Sequence, residues 1–474
     1  MAESNPFFLA SPRLKKRTLL GIYIGSFAAI SVATGLATLL AAAAADIGGV
    51  SLYPLASTIE GLICIPATLL FGSIGAKRPD LKRNLLAFSF IAGTAGYILR
   101  SLATSMLFVC FTSVLCGFIT TGIFVVAYTM IRDMYDAEGA GIRLGITTTM
   151  LSVGIFVGPV LTGFLIDQLG WRIACNALWP LFIVAAFLVI TGVKASREEA
   201  VVIASGAEKR FDFAGMTSLV VFLTAFIFAL SMGSSPPDIL AIDMTFGSLT
   251  NTILLVIAAV GLISFIKLLK KKRDDSIIPI SVLKDKNTVI MTLLNMLLNV
   301  ANVAVMFFVP GYMIYIMNTT ATEAGLATTL FAVIGIFLSP VFGRHIGRVG
   351  NARGAFTLGS SVRIAFTFCF FLLMNPDTSP WVVYVLMFIG GFARCQQAAA
   401  FSVAPQIQIA AEIRVLSNSV IQLAQNLGGS IGMAVFTMIV GFSGFAAGVP
   451  YIFLIGAGVA VVALIAGLFL KPLQ

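Results

Sequence analysis

Three ionisable side chains stand inside long apolar stretches, and chemistry is to be sought there first. Of twenty acidic residues, Glu60 alone falls well within such a stretch; of thirty basic residues, Arg363 and Arg394 do. An ion at mid-bilayer costs at least about 2.5–3.5 kcal/mol, so such groups face a cavity or a partner. Glu60 is a candidate proton carrier or counter-ion, since a sheltered carboxyl can exchange a proton as access alternates. Arg394 is a permanent cation whose guanidinium matches a carboxylate or sulfate in bidentate fashion. Arg363 is a second, weaker candidate for the same task. Each has a structural alternative: Glu60 paired with a helix neighbour, Arg394 as its partner, Arg363 as a lock between two helices.

Amides form the next group. Asn295, Asn299 and Asn302 are spaced i, i+4, i+7 and share one helix face. Asn418, Gln422, Gln425 and Asn426 repeat the idea further on, and Gln396 follows Arg394 by two residues. Amides in lipid need partners, so these line a wet cavity or tie helices together. The first half is softer, offering Thr34, Thr38, Thr120 and Thr121. Phe307, Phe308, Tyr312 and Tyr315 are candidates to contact an apolar substrate, and Pro310-Gly311 predicts a break that lets the outer end of that helix move as a gate.

Enzymatic motifs are missing from the sequence. No Gly-rich loop ends in Gly-Lys-Ser/Thr, so ATP has no phosphate cradle. The one histidine, His345, falls in a loop, and the six cysteines have no metal-ligand spacing. We expect no cofactor, no metal, no nucleic acid and no catalysis.

The elements that carry these residues follow from composition. The chain has 474 residues, 59% apolar and 11% charged, with a mean hydropathy of +1.02. Soluble domains carry about 25% charged residues, so an ordinary soluble enzyme and a disordered chain are excluded. Fourteen apolar runs of spanning length are expected, at about 19–41, 52–74, 84–104, 106–130, 145–167, 173–193, 214–233, 250–270, 287–315, 323–343, 355–374, 381–404, 416–442 and 448–470. With both termini cytoplasmic, almost every basic loop residue falls inside, and only Arg100 and Arg172 fall outside. A wrong span count would scramble that alternation. The first run is too long for the apolar core of a signal peptide and is read as a span. The net charge of +10 then reflects cytoplasmic loops rather than nucleic-acid binding.

The expected organisation is a cytoplasmic tail (1–18), a six-helix bundle (19–193), a linker (194–213), two additional spans (214–270), a basic linker (271–286) and a second six-helix bundle (287–470). Leu115–Gly122 in span 4 and Ile389–Gln396 in span 12 look related, as in transporters built from two repeated halves.

These features resemble the major facilitator superfamily, in its fourteen-span drug:proton antiporter branch. Gly154-Ile155-Phe156-Val157-Gly158-Pro159-Val160-Leu161-Thr162-Gly163 resembles the antiporter motif GxxxGPxxGG, with Thr162 in place of one glycine. Trp171-Arg172, Phe211-Asp212-Phe213-Ala214-Gly215, Ile278-Pro279 and Gln425-Asn426-Leu427-Gly428-Gly429 resemble further stretches of that branch. The loop after span 2 keeps Gly72, Lys77, Lys82 and Arg83 of a gate motif but has Ala76 at its acidic place and Pro79 for its second glycine. The loop after span 10 keeps Gly343, Arg348 and Gly350, with Gly347 at the acidic place. The resemblance implies a cytoplasmic latch, here reduced to Lys77 or Arg78 against Asp133. Val32 stands where multidrug members tend to carry an acid, and Ser113 where span 4 often has an arginine.

The resemblance implies an all-α, multi-pass protein of the cytoplasmic membrane: two six-helix bundles plus two central spans, working by alternating access. The expected activity is proton-coupled transport of a small amphipathic organic substrate by a monomer within membrane lipid. One acid and two arginines favour an organic anion. The alternatives are a multidrug exporter of lipophilic cations and a non-transporting sensor or lipid-handling protein.

Overall fold

The computed structural model describes residues 10–50, 52–135, 137–194, 212–233, 243–273, 276, 280–349, 351–409 and 414–470. Every regular element among them is helical. That is the expected outcome for apolar chain in lipid, where backbone groups must be satisfied within the segment.

The main helices are α1 (Pro12–Ile47), α2 (Tyr53–Lys77), α3 (Lys82–Ser101), α4 (Met106–Met134), α5 (Ala137–Leu169) and α6 (Trp171–Ile190). There follow α7 (Phe213–Gly233), α8 (Leu249–Lys272), α9 (Lys286–Tyr315), α10 (Ala321–Val349), α11 (Arg353–Leu373), α12 (Pro380–Gln408) and α13 (Arg414–Gly467). Ten stretches among the described residues are long and apolar enough to cross a bilayer. One of them, Val420–Gly467, bends at Gly444, whose φ of 71° breaks α13 into two arms. Only a residue without a Cβ adopts that conformation cheaply.

Local chemistry sets the helix ends. Ser105 caps α4 by accepting from the Phe108 amide, Ser248 caps α8 through the Asn251 amide, and Asp285 caps α9 through the Thr288 amide. Within α4, Gly122–Ala127 is wound as a π-helix. Pro310 does not end α9, which runs unbroken through it to Tyr315. The expected break is therefore absent, and Gly311 instead gives room to the Tyr53 hydroxyl.

The chain divides into two compact units. The first comprises Met1–Leu39 and Ile59–Phe211; the second comprises Leu40–Thr58 and Asp212–Gln474. The additional helices α7 and α8 thus group with the C-terminal helices, and α7 packs on α13. The end of α1 and the start of α2 also join the second unit. There Tyr53 stacks on Phe307 at 5.0 Å and meets Tyr315 and Phe445 edge-on or tilted.

Candidate functional site

In the first unit, close helix packing sets the site. A Cβ on Gly158 would lie 2.4 Å from the Ser31 carbonyl oxygen, and one on Gly154 would lie 2.8 Å from that of Phe27. From the other side, a Cβ on Gly35 would meet Thr162 Oγ1 at 2.2 Å. The glycines at 154 and 158, with Pro159 and Gly163 buried beside them, therefore press α5 onto α1 backbone to backbone. Thr162, the departure from the motif, fills the space opposite Gly35.

The same device brings α2, α3 and α4 together. A Cβ on Gly117 would stand 2.8 Å from the Glu60 carbonyl oxygen, and one on Gly96 would stand 2.7 Å from Cys116 Sγ. At this convergence Arg100 Nη2 donates to Glu60 Oε1 at 2.5 Å and to Ser113 Oγ at 2.9 Å. Arg100 Nε reaches Thr112 Oγ1 at 3.4 Å, and the guanidinium lies 5.1 Å from the Tyr97 ring centre. The buried Cys116 thiol lies beside this cluster, against Gly96. Glu60 is thus paired with a helix neighbour. Arg100, expected in an outer loop, is instead a fully buried cation. One and two turns along α2 from Glu60, Cys64 and Thr68 meet Thr121 at 3.4 and 3.5 Å.

The charges at the other end of these helices differ from expectation in their pairing. Asp133 accepts from Lys82 Nζ at 2.6 Å, while Arg78 makes a bidentate pair with Asp80 at 3.0 and 2.9 Å. Asp80 is two residues from Arg78 and engages it locally, which leaves Lys82 for Asp133. The Asp80 pair holds the Arg78 guanidinium above its usual range. Gly72 has open space, its nearest would-be neighbour being Val125 at 3.8 Å. The Lys77 side chain and Gly350 lie outside what the structure describes; Gly343 lies within α10, and Arg348 is exposed.

In the second unit, Arg394 emerges from α12 where Gly390 and Gly391 press that helix onto α10. A Cβ on Gly391 would stand 2.5 Å from the Phe331 carbonyl oxygen. The Arg394 guanidinium then lies 5.5 Å from the Phe331 ring centre and 3.6 Å from Met306 Sδ on α9. No carboxylate among the described residues pairs with it. Arg363 is 1% exposed on α11, within electrostatic reach of Arg394.

The amides on α9 divide by task. Asn295 is buried and donates to the Ile421 carbonyl oxygen on α13 at 2.8 Å, tying two helices. Asn299 donates back to Asn295, to its backbone oxygen at 3.0 Å and its side-chain oxygen at 3.1 Å. Asn302 keeps a buried Oδ1 with no hydrogen bond among the described residues. Tyr312 is buried, Gln425 half-buried and Gln422 exposed. The side chains of Gln396 and Asn418 lie outside the described residues. Sequence reasoning passed over Gln408, which is fully buried: its side chain bonds Ala352 N and Asn351 Oδ1 at 3.1 and 3.0 Å, and its carbonyl accepts from Asn287 at 2.9 Å.

Described residues whose regular elements are all helical, with this many apolar spans and with buried charge set where glycines press helices together, define an integral multi-pass protein of the cell membrane. The Major Facilitator Superfamily profile matches residues 22–283 and 288–474, so the chain belongs to that family of membrane transporters and is not an enzyme. It is 23% identical over 423 residues to Multidrug transporter protein MdtP of Bacillus subtilis (strain 168), covering 88% of this chain and 74% of that protein. It is 22% identical to Multidrug resistance protein 3 of the same strain, covering 89% and 78%. Its fold is similar to a solved POT family transporter in complex with a thioalcohol-conjugated peptide, with a TM-score of 0.64, 14% identity and 98% of both chains covered.

Proposed function

We propose that this transporter exports small amphipathic organic anions in exchange for protons. It crosses the membrane fourteen times with both ends in the cytoplasm, the additional α7 and α8 joining two six-helix bundles. Relatives named for multidrug transport and resistance support export and a broad amphipathic substrate class. The alternation of basic loops supports the span count.

The observation that carries the choice of anion is the contrast between two half-buried charges, Glu60 and Arg394. Glu60 is the acid within a span, and Arg100 already engages it at 2.5 Å, so a lipophilic cation finds no unengaged carboxylate there. Arg394 ends on a thioether and a ring face, with Arg363 adding positive potential behind it. A carboxylate or sulfonate meets two parallel N–H donors at such a guanidinium. Met306 and Phe331 suit the apolar body of the same molecule. The unbonded Asn302 oxygen offers an acceptor to a substrate hydroxyl or amide.

Glu60 carries the proton in this reading. Protonation removes the carboxylate charge, so Arg100 loses its ionic partner and α2 and α3 lose their tie. Release of the proton restores the pair. The two states differ by a buried ion pair, which is enough free energy to bias a conformational equilibrium.

The test uses purified protein in liposomes with an imposed pH gradient and an internal pH dye. Amphipathic carboxylates are expected to collapse the gradient beyond the leak of empty liposomes, and Arg394→Ala to abolish the effect. Collapse by lipophilic cations instead, lost in Glu60→Gln and kept in Arg394→Ala, would replace this reading with cation export.

A further inference from the structure

The α7–α8 hairpin bears an open, shallow groove of about 600 Å³ that none of the transport residues line. Its walls are Thr217 and Val221 on α7 and Val256, Val260, Ser264 and Leu268 on α8. A close contact sets its floor, for a Cβ on Gly261 would stand 2.9 Å from the Phe222 amide nitrogen. One turn beyond Leu268 an ion pair ties the two helices: Asp212 Oδ1 accepts from Lys272 Nζ at 2.7 Å and from the Gly215 amide at 2.8 Å.

Helical periodicity continues the lining face of α8 into charge. Lys267 and Lys271 follow Ser264 by three and seven residues, and Lys271 follows Leu268 by three, so all share one face. Lys267, Lys271 and Arg273 are exposed, whereas Lys272 is taken by Asp212. Five cations, Lys267, Lys270, Lys271, Lys272 and Arg273, stand against three nearby carboxylates, Asp212, Asp274 and Asp275. From Val256 to Leu268 the groove runs about 18 Å along the axis at 1.5 Å per residue. One leaflet of a roughly 30 Å hydrocarbon core has nearly that depth.

We propose that this groove is a binding site for one anionic phospholipid of the leaflet that the basic loops face. An acyl chain lies against Val221, Val256 and Val260, and the phosphate sits among Lys267, Lys271 and Arg273. Charge complementarity selects the lipid class. A zwitterionic lipid fits the apolar walls equally well but gains little from the cations. None of Glu60, Arg100, Arg363 and Arg394 lines the groove, so a lipid bound there does not occupy the proposed transport site.

Native mass spectrometry of the detergent-purified full chain, titrated with phosphatidylglycerol or phosphatidylcholine, tests the site. One phosphatidylglycerol is expected to bind tightly and phosphatidylcholine weakly. The triple variant Lys267→Ala, Lys271→Ala, Arg273→Ala is expected to weaken phosphatidylglycerol binding about a hundredfold, from the contribution of each cation at an anionic surface. Val260→Trp, which fills the groove and keeps the cations, is expected to lose the bound lipid while thermal unfolding shows a folded protein. Equal retention of the two lipids, or unchanged binding in the triple variant, overturns the assignment. A dimer that Val260→Trp splits into monomers would overturn it too, by showing that a second copy covers the face.

Discussion

Arg100 on α3 and Glu60 on α2, 40 residues apart in sequence, form an ion pair whose guanidinium is 1% exposed and whose carboxylate is 15% exposed. Ser113 and Thr112 on α4 take further donors of the same guanidinium, so one cation joins three helices. Ser113 is the residue that stands where the resembled family often has an arginine of its own. The positive charge at this corner is therefore present, supplied from the neighbouring helix.

A double-mutant cycle measures the pair. Removing one member of a buried pair costs about 3–5 kcal/mol, because the other charge is left uncompensated. Glu60→Gln and Arg100→Met are each expected to lower thermal stability markedly in detergent. The double variant should lose much less than the sum of the two. Strictly additive losses would show that the groups do not act on each other.

Arg394 is expected to act through geometry as well as charge. Arg394→Lys keeps the cation but loses the planar fork. If the anion is held bidentately, KM for carboxylates should rise roughly 10- to 100-fold, the range for losing a charged hydrogen bond. Arg394→Ala should abolish carboxylate flux. Equal transport by wild type and Arg394→Lys would mean that a point charge suffices.

Much of the fold was legible because composition forces it. Apolar runs of spanning length became helices, and the gap between the runs ending at 442 and beginning at 448 fell on the bend at Gly444. The glycines of the antiporter motif were legible as close packing, and the structure supplies their partner, α1. Arg100 was not legible. Near a helix end a charge ordinarily meets water, and nothing in its own neighbourhood announced a carboxylate 40 residues away. The pairing of Asp133 was missed for the opposite reason. Asp80, two residues from Arg78, engages that guanidinium locally, and the partner of Asp133 is Lys82. Asn295 was legible as a polar face, yet its task is to tie α9 to α13 through a backbone carbonyl.

The glycines are expected to differ in tolerance according to what a methyl group would meet. Gly158→Ala puts a Cβ 2.4 Å from a backbone oxygen of α1, which cannot turn away. Overpacking of that kind costs about 1–3 kcal/mol, and the spacing of α1 and α5 must change. Gly72→Ala meets only Val125, at 3.8 Å, and should fold and unfold like wild type. Fluorescence-detected size exclusion after graded heating separates the two. Equal thermal profiles for both variants would mean that α1 and α5 have slack the distances do not suggest.

Asp212 should divide its contribution between a cap and an ion pair. Its Oδ1 accepts from the Gly215 amide at the start of α7, and a Cβ on Gly215 would stand 2.2 Å from its Oδ2. The same carboxylate takes Lys272 from the end of α8, but the Lys272 side chain is 36% exposed. Loss of a side-chain cap costs about 1 kcal/mol. A partly exposed ion pair adds about 0–1 kcal/mol and is screened by salt. Asp212→Ala is therefore expected to destabilise more than Asp212→Asn, which keeps the cap and gives up the charge. Lys272→Met should resemble Asp212→Asn, and raising the salt concentration should narrow the gap between Lys272→Met and wild type without rescuing Asp212→Ala. If Asp212→Asn is as damaging as Asp212→Ala at every salt concentration, the charge pair rather than the cap holds the hairpin.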